Sequence, residues 1–196
     1  AYPQALALCD EAAALMARIR YDDPVVRAVR GVCLVALGQA DEGLALLRKA
    51  GQQRQQNART GLLLGLAEAQ ALLMTGSYTA CQALAGALAD QTRGRNNVFH
   101  ARSLLWLGWA QHELNDPRAS ATLHMALENE LVFGGRDVWL CYYALGRASS
   151  DPATADHYNW QALQALRAIA ASLDAYPDLR ESLLRSPIIH ELTETA

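Results

Sequence analysis

Three histidines, His100, His112 and His124, recur at intervals of 12 residues, with Glu113, Glu128 and Glu130 close by in the chain. Imidazole and carboxylate together are the ligand set of many zinc sites. The spacing opposes that chemistry, because a helical zinc motif sets two His four apart on one face and no two His of this chain are so placed. His112 and His124 fall on different expected helices, and His124 aligns with Cys9, Leu47 and Ala85 in the repeats described below, which predicts a packed position. Gly134-Gly135-Arg136 lacks the Lys and the preceding strand of a phosphate-binding loop. Nothing in the sequence points to a Ser or Cys nucleophile with a base beside it. Cys9, Cys33, Cys81 and Cys141 lie far apart, so reduced thiols in a cytoplasm are expected. These readings predict a chain that is not an enzyme and holds no metal and no cofactor. The chemistry left to it is recognition: Trp109, Tyr143, Arg102 and Arg147 are the aromatic and guanidinium types that dominate binding energy where they are buried.

The elements that must carry these side chains are helices. The 196 residues include 37 Ala and 32 Leu against 8 Val and 4 Ile, a balance that favours helix and excludes a large sheet. The chain is long enough for one sizeable domain or a short array. A formal charge of -3 lacks the basic footprint of a nucleic-acid or anionic-membrane binder. The longest apolar stretch, Gly61 to Met74, is short of a membrane span and is interrupted by Glu68 and Gln70. No basic region followed by an apolar run opens the chain. No nucleic acid and no membrane are expected as partners.

The sequence repeats with a period near 38. Leu37-Gly38-Gln39 recurs as Thr75-Gly76-Ser77 and as Leu114-Asn115-Asp116, and the residues after each turn stay in step. Tyr2, Ala40, Tyr78, Pro117 and Pro152 align; so do Ala5, Gly43, Cys81, Ser120 and Ala155, and then Ala12, Ala50, Leu88, Leu127 and Ala162. Small or apolar residues thus recur where neighbouring helices approach. Each repeat reads as a helix, a turn and a second helix. Asp23-Pro24, Asp116-Pro117 and Asp151-Pro152 are expected helix starts, since Asp caps and Pro at the first position forfeits no hydrogen bond. The expected organisation of residues 1–196 is one repeat domain: a partial repeat at 1–20, repeats at about 24–56, 58–94, 97–133 and 136–173, and a C-terminal cap at 174–196. A long helix from Ala153 to Leu173 should turn Trp160, Leu163, Leu166, Ile169 and Leu173 inward, followed by short helices Asp178 to Arg185 and Ile188 to Thr193. Because 1–20 matches only a second helix, the chain reads as a fragment of a longer protein.

Trp106-Leu107-Gly108-Trp109-Ala110, Ala144-Leu145-Gly146-Arg147-Ala148 and Gly76-Ser77-Tyr78 resemble the signature of the tetratricopeptide repeat. The period near 38, the Glu68-Ala69 in place of Leu-Gly and the shortened fourth turn are similar to the degenerate, MalT-like type. That type occurs at the C-terminal end of large bacterial signalling proteins. The resemblance implies a right-handed superhelical array of about four helical hairpins, an α-solenoid with a C-terminal helical cap, whose first helices line a concave groove. Carried over by the turn register, the groove positions are Val25, Ala28, Val32 and Val35 in the first repeat and Leu63, Leu66, Gln70, Leu73 and Met74 in the second. The third supplies Arg102, Leu105, Trp109, His112 and Glu113, and the fourth Leu140, Tyr143 and Arg147. In the alternative reading Trp109 packs between hairpins and the arginines stand in solvent. The basic clamp by which some members hold a terminal carboxylate is not matched, its sites being Ala28, Leu66 and Leu105.

The expected function is a non-catalytic protein-interaction scaffold, the cytoplasmic regulatory region of a larger bacterial signalling protein such as an ATPase, kinase, cyclase or transcriptional regulator. Its partner would be a protein or peptide, or another domain of the same polypeptide. The alternative is a domain that senses a small-molecule effector held in the groove. Self-association through the apolar lining from Val25 to Met74, giving a homo-oligomer, is compatible with either.

Overall fold

Asp23, Asn57 and Asp151 start helices by accepting hydrogen bonds from backbone amides of the first turn: Val25 N–H at 2.7 Å, Arg59 N–H at 2.8 Å and Thr154 N–H at 3.0 Å. Pro24 and Pro152 follow two of these caps at the position where a missing amide costs nothing. The computed structural model describes residues 2–52, 57–94, 98–133, 137–185 and 187–194, and every regular element among them is a helix. In chain order these are α1 (Tyr2–Arg18), α2 (Pro24–Ala36), α3 (Ala40–Gly51), α4 (Ala58–Met74), α5 (Tyr78–Thr92), α6 (Val98–Glu113), α7 (Ala119–Phe133), α8 (Val138–Ala148), α9 (Pro152–Ser172), α10 (Pro177–Leu184) and α11 (Pro187–Glu194). No helix is long and apolar enough to cross a membrane, among the described residues.

The repeating turn is a repeating hydrogen-bond pattern. α2, α4 and α6 each end on a left-handed residue: Gly38 (φ 84°), Gly76 (φ 73°) and Asn115 (φ 56°). The next amide reaches back five residues in each case, Gln39 to the Leu34 carbonyl (2.9 Å), Ser77 to Leu72 (2.8 Å) and Asp116 to Gln111 (2.8 Å). This satisfies carbonyls that the helix end orphans, and Gly or Asn are the residues that enter the left-handed region at least cost. The fourth turn, Ser149 to Asp151, contains no such residue, which agrees with its shortened sequence.

The described helices form two compact units, Tyr2–Arg95 and Asn96–Ala196. In the first, α1 packs on α2, the hairpins α2–α3 and α4–α5 each close on themselves, and α4 lies against both α2 and α3. The α2–α3 crossing is a backbone contact. A Cβ on Gly43 would lie 2.5 Å from the Gly31 carbonyl oxygen, and one on Gly31 would lie 2.8 Å from that of Gly43. Behind the crossing Ala28, Val32, Val35, Leu47, Ala50, Leu64 and Ala71 make a continuous core. Ala28, Val32 and Val35 are therefore consumed by packing, and only Val25 of the predicted lining in the first repeat keeps part of its surface.

In the second unit α6–α7 and α8–α9 are the hairpins, α8 packs on α6 and α7, and α10 and α11 lie against α9. Two elements differ from the expected register. The buried register of α7 is Ala119, Leu123 and Ala126, which continues Cys81, Ala85 and Leu88 at 38 residues, so Ser120 and His124 face outward. The difference lies between turn and helix: the first buried residue of α7, Ala119, comes four positions after the left-handed Asn115, where Cys81 comes five after Gly76, so the buried register falls one position earlier. Trp160 is 51% exposed, because α9 buries Ala162, Leu163, Leu166 and Ala170 and position 160 lies just over half a turn before that stripe.

Candidate functional site

On α6 and α8 residues four apart stack along one face. Trp109 sits one turn before Glu113 and its indole Nε1–H donates to Glu113 Oε1 at 3.3 Å. Tyr143 sits one turn before Arg147, whose guanidinium carbon lies 6.0 Å from the phenol ring centroid. The two helices meet through Trp109 and Tyr143, edge to face with centroids 5.6 Å apart, an arrangement aromatic pairs favour. Trp106 extends the row, its ring 6.4 Å from that of Trp109.

The last helix packs against α9 and borders this face through Tyr143. Ile189 and Leu192 of α11 are 7% and 1% exposed and share a core cluster with Tyr143, Ala162 and Leu166. Trp109, Trp139, Leu140 and Leu183 are partly buried around them. Between the two apolar anchors, Glu191 accepts a 2.9 Å hydrogen bond from the Tyr143 hydroxyl and stands 3.7 Å from the Arg147 guanidinium. Arg147 also approaches Glu113 at 3.9 Å, so one cation is shared by two carboxylates from different helices. Burial, with a smaller push from Glu191, holds the Tyr143 hydroxyl above its ordinary pKa, so it stays protonated and donating. The site can therefore grip a helix by two apolar side chains and one carboxylate.

The other predicted residues have other roles. Arg102 pairs with Asp137, the residue preceding α8, and so ties α6 to the start of α8. Glu130 accepts the Asp137 amide at 3.4 Å, while its Oε1, in a residue only 1% exposed, finds no partner among the described residues. Leu105 has no exposed surface and is a core residue. His112 is half-buried on α6. Leu63, Leu66, Gln70 and Met74 lie on α4 in the first unit: Leu66 is buried, Leu63 and Gln70 are partly buried, and Met74 is 40% exposed.

The histidine and carboxylate cluster does not assemble. His124 Nδ1 faces the Ser120 carbonyl at 2.8 Å and Nε2 faces the Tyr158 hydroxyl at 2.9 Å. A carbonyl only accepts, so Nδ1 carries a proton, and in the neutral ring Nε2 accepts from Tyr158. Among the described residues no three His, Cys, Asp or Glu side chains gather to hold a metal ion. Gly134-Gly135-Arg136 lies outside the described residues. Burial raises all four thiols above their ordinary pKa, Cys81 to about 12.

Sequence reasoning reached Trp109, Glu113, Tyr143 and Arg147 but missed Glu191, Ile189 and Leu192. The signal for these was weak: a carboxylate between two apolar residues three apart, after a proline, in a segment with no repeat register. Comparison of the chain with family models, with curated proteins and with solved structures finds no match in any of the three.

Proposed function

We propose that the chain is a non-catalytic protein-interaction module of the tetratricopeptide-like, α-solenoid kind, and that its recognition surface in the second unit is the α6–α8 face. Its partner is a protein or peptide segment. The observation that carries this reading is the seating of α11: the face already holds an amphipathic helix through apolar anchors and a carboxylate, with the aromatic and Arg groups that binding hot spots favour. The pairing of first helix with first helix, α2 with α4 and α6 with α8, supports the solenoid within each unit. The placement in a bacterial multidomain signalling protein rests on the resemblance to MalT-like arrays alone.

The test is quantitative crosslinking and immunoprecipitation of the native protein against a Trp109→Ala/Arg147→Ala variant in the source cells. A drop of at least tenfold in the recovery of one or more protein partners, with the variant still folded, is expected. A variant that recovers every partner of the native protein overturns the reading.

A further inference from the structure

Glu191 meets its two partners across 48 and 44 residues of chain, on a helix that no repeat register demands. α11 has eight residues, well short of the length at which an isolated helix holds together in water. Its order comes from docking. The segment leading to it adds the partly buried Leu183 to this cluster, but α10 buries none of its residues fully and leaves Leu179 and Leu184 each 45% exposed. Docking of α11 is thus a local equilibrium set mainly by Ile189, Leu192 and Glu191.

The face it docks on keeps its shape by contacts of its own. Trp109 is fixed by Glu113 and by the edge of Tyr143, and Arg147 is held beside the Tyr143 ring and near Glu113. None of these needs α11. A face ordered in advance binds an incoming helix without the cost of arranging itself.

Resting on the interaction-module reading above, we infer that α11 is an internal occupant of the α6–α8 face where it adjoins α9, and that the partner displacing it is an amphipathic helix with two apolar residues three apart and a carboxylate just before the second. The carboxylate is the specific element. It takes the hydrogen bond of Tyr143 and the charge of Arg147, and when Glu191 leaves, Glu113 is the one carboxylate of the two that Arg147 retains. A partner with Lys or Arg at that place would set two cations together and leave the Tyr143 hydroxyl without its acceptor. While α11 is seated only the open fraction of molecules can bind, so the apparent affinity of any partner is reduced by that fraction.

The probe is a fluorescein-labelled synthetic peptide with the sequence of residues 186–196, titrated with the full 196-residue chain and with its Ile189→Asp/Leu192→Asp variant, and read by fluorescence anisotropy. The variant is expected to bind the peptide at least tenfold more tightly than the native chain, and to bind a peptide carrying Glu191→Lys at least tenfold more weakly than the native peptide. Equal binding by both chains, or none by either, with the variant's circular dichroism and melting transition preserved, overturns the inference. Where the double variant fails to fold, Glu191→Lys in the chain serves instead. Its side chain is half exposed, so the fold survives, and peptide affinity should rise severalfold; no rise overturns the inference. Failure here leaves the interaction-module reading intact, because that reading stands or falls on whether the Trp109→Ala/Arg147→Ala variant still recovers the native protein's partners.

Discussion

Leu192→Ala separates a docked terminal helix from an integral one. Leu192 is 1% exposed and packs in the cluster with Tyr143, Ala162 and Leu166. Removing three buried carbons takes away about 2.5 kcal/mol of transfer and cavity energy. If α11 opens on its own, this falls on the docking equilibrium alone, and about 2.5 kcal/mol is about 70-fold in the open-to-closed ratio. The assay is amide hydrogen exchange. Amides near the C-terminal end of α11 should exchange about 70-fold faster in the variant, while those of Leu104 to Gly108 on α6 and Ala144 to Gly146 on α8 keep their rates. The melting midpoint of the second unit should fall by less than the ~10 °C that the same loss would cause in a cooperative unit of this size. Equal acceleration in α6, α8 and α11 would refute the reasoning, since α11 would then be part of the cooperative core.

Glu130 is buried beside Asp137, and burial first, then the neighbouring carboxylate, raises its pKa. The native state then holds a proton more tightly than the unfolded chain, so stability falls as pH rises from the unfolded carboxylate value through the raised one. Glu130→Gln should flatten that slope and raise stability above it by about 1–3 kcal/mol, checked by urea denaturation across pH 4 to 8; an unchanged slope would reject it. Gly43→Ala should destabilise the first unit by about 2 kcal/mol despite the better helix propensity of Ala, because its Cβ would meet backbone at 2.5 and 3.0 Å; thermal melting reads this. With its pKa near 12 and no exposed surface, Cys81 has about one thiol in 10⁵ ionised at neutral pH. Iodoacetamide at pH 7.5 should leave it unmodified in the folded chain, as read by mass spectrometry, and rapid carboxymethylation would contradict its placement.

The all-helical class and the helix boundaries were legible because they depend on local rules. Ala and Leu content, the Asp-Pro caps at Asp23 and Asp151 and a Gly at the left-handed turn act within a few residues, and the cap helices lie within one residue of their expected ends; Asp116-Pro117 instead stays in the turn, and α7 starts only at Ala119. The register of α7 was not legible. It depends on whether the third turn closes in five residues or four, and the Gly-to-Asn exchange at Asn115 conceals that difference. Leu105, Ala28, Val32 and Val35 are core where lining is expected for a related reason: which flank of an apolar helix faces a neighbour depends on helix rotation, and a strip of Leu and Val gives no polar mark to fix it.

Arg102 and Arg147 show where residue type stops deciding. Each is a guanidinium on a first helix, and the sequence assigned both to one groove. Arg102 has Asp137, 20% exposed, at the start of the next first helix, so its charge is spent within the fold. Arg147 lies 3.9 Å from Glu113 and 3.7 Å from Glu191, with 44% of its own side chain exposed, so neither carboxylate neutralises it at close range. Exposed pairs at such separations contribute well under about 1 kcal/mol. Tyr143, by contrast, donates a 2.9 Å bond to Glu191 from a buried ring. The hydroxyl therefore supplies the strength of the polar grip and the guanidinium supplies its sign preference. Tyr143→Phe should accordingly weaken carboxylate-bearing and neutral helices unequally, the former by about tenfold more, while Arg147→Ala should chiefly relax discrimination against a cation. If instead Arg147→Ala alone abolished binding of every helix, the division of labour derived from these distances would be wrong.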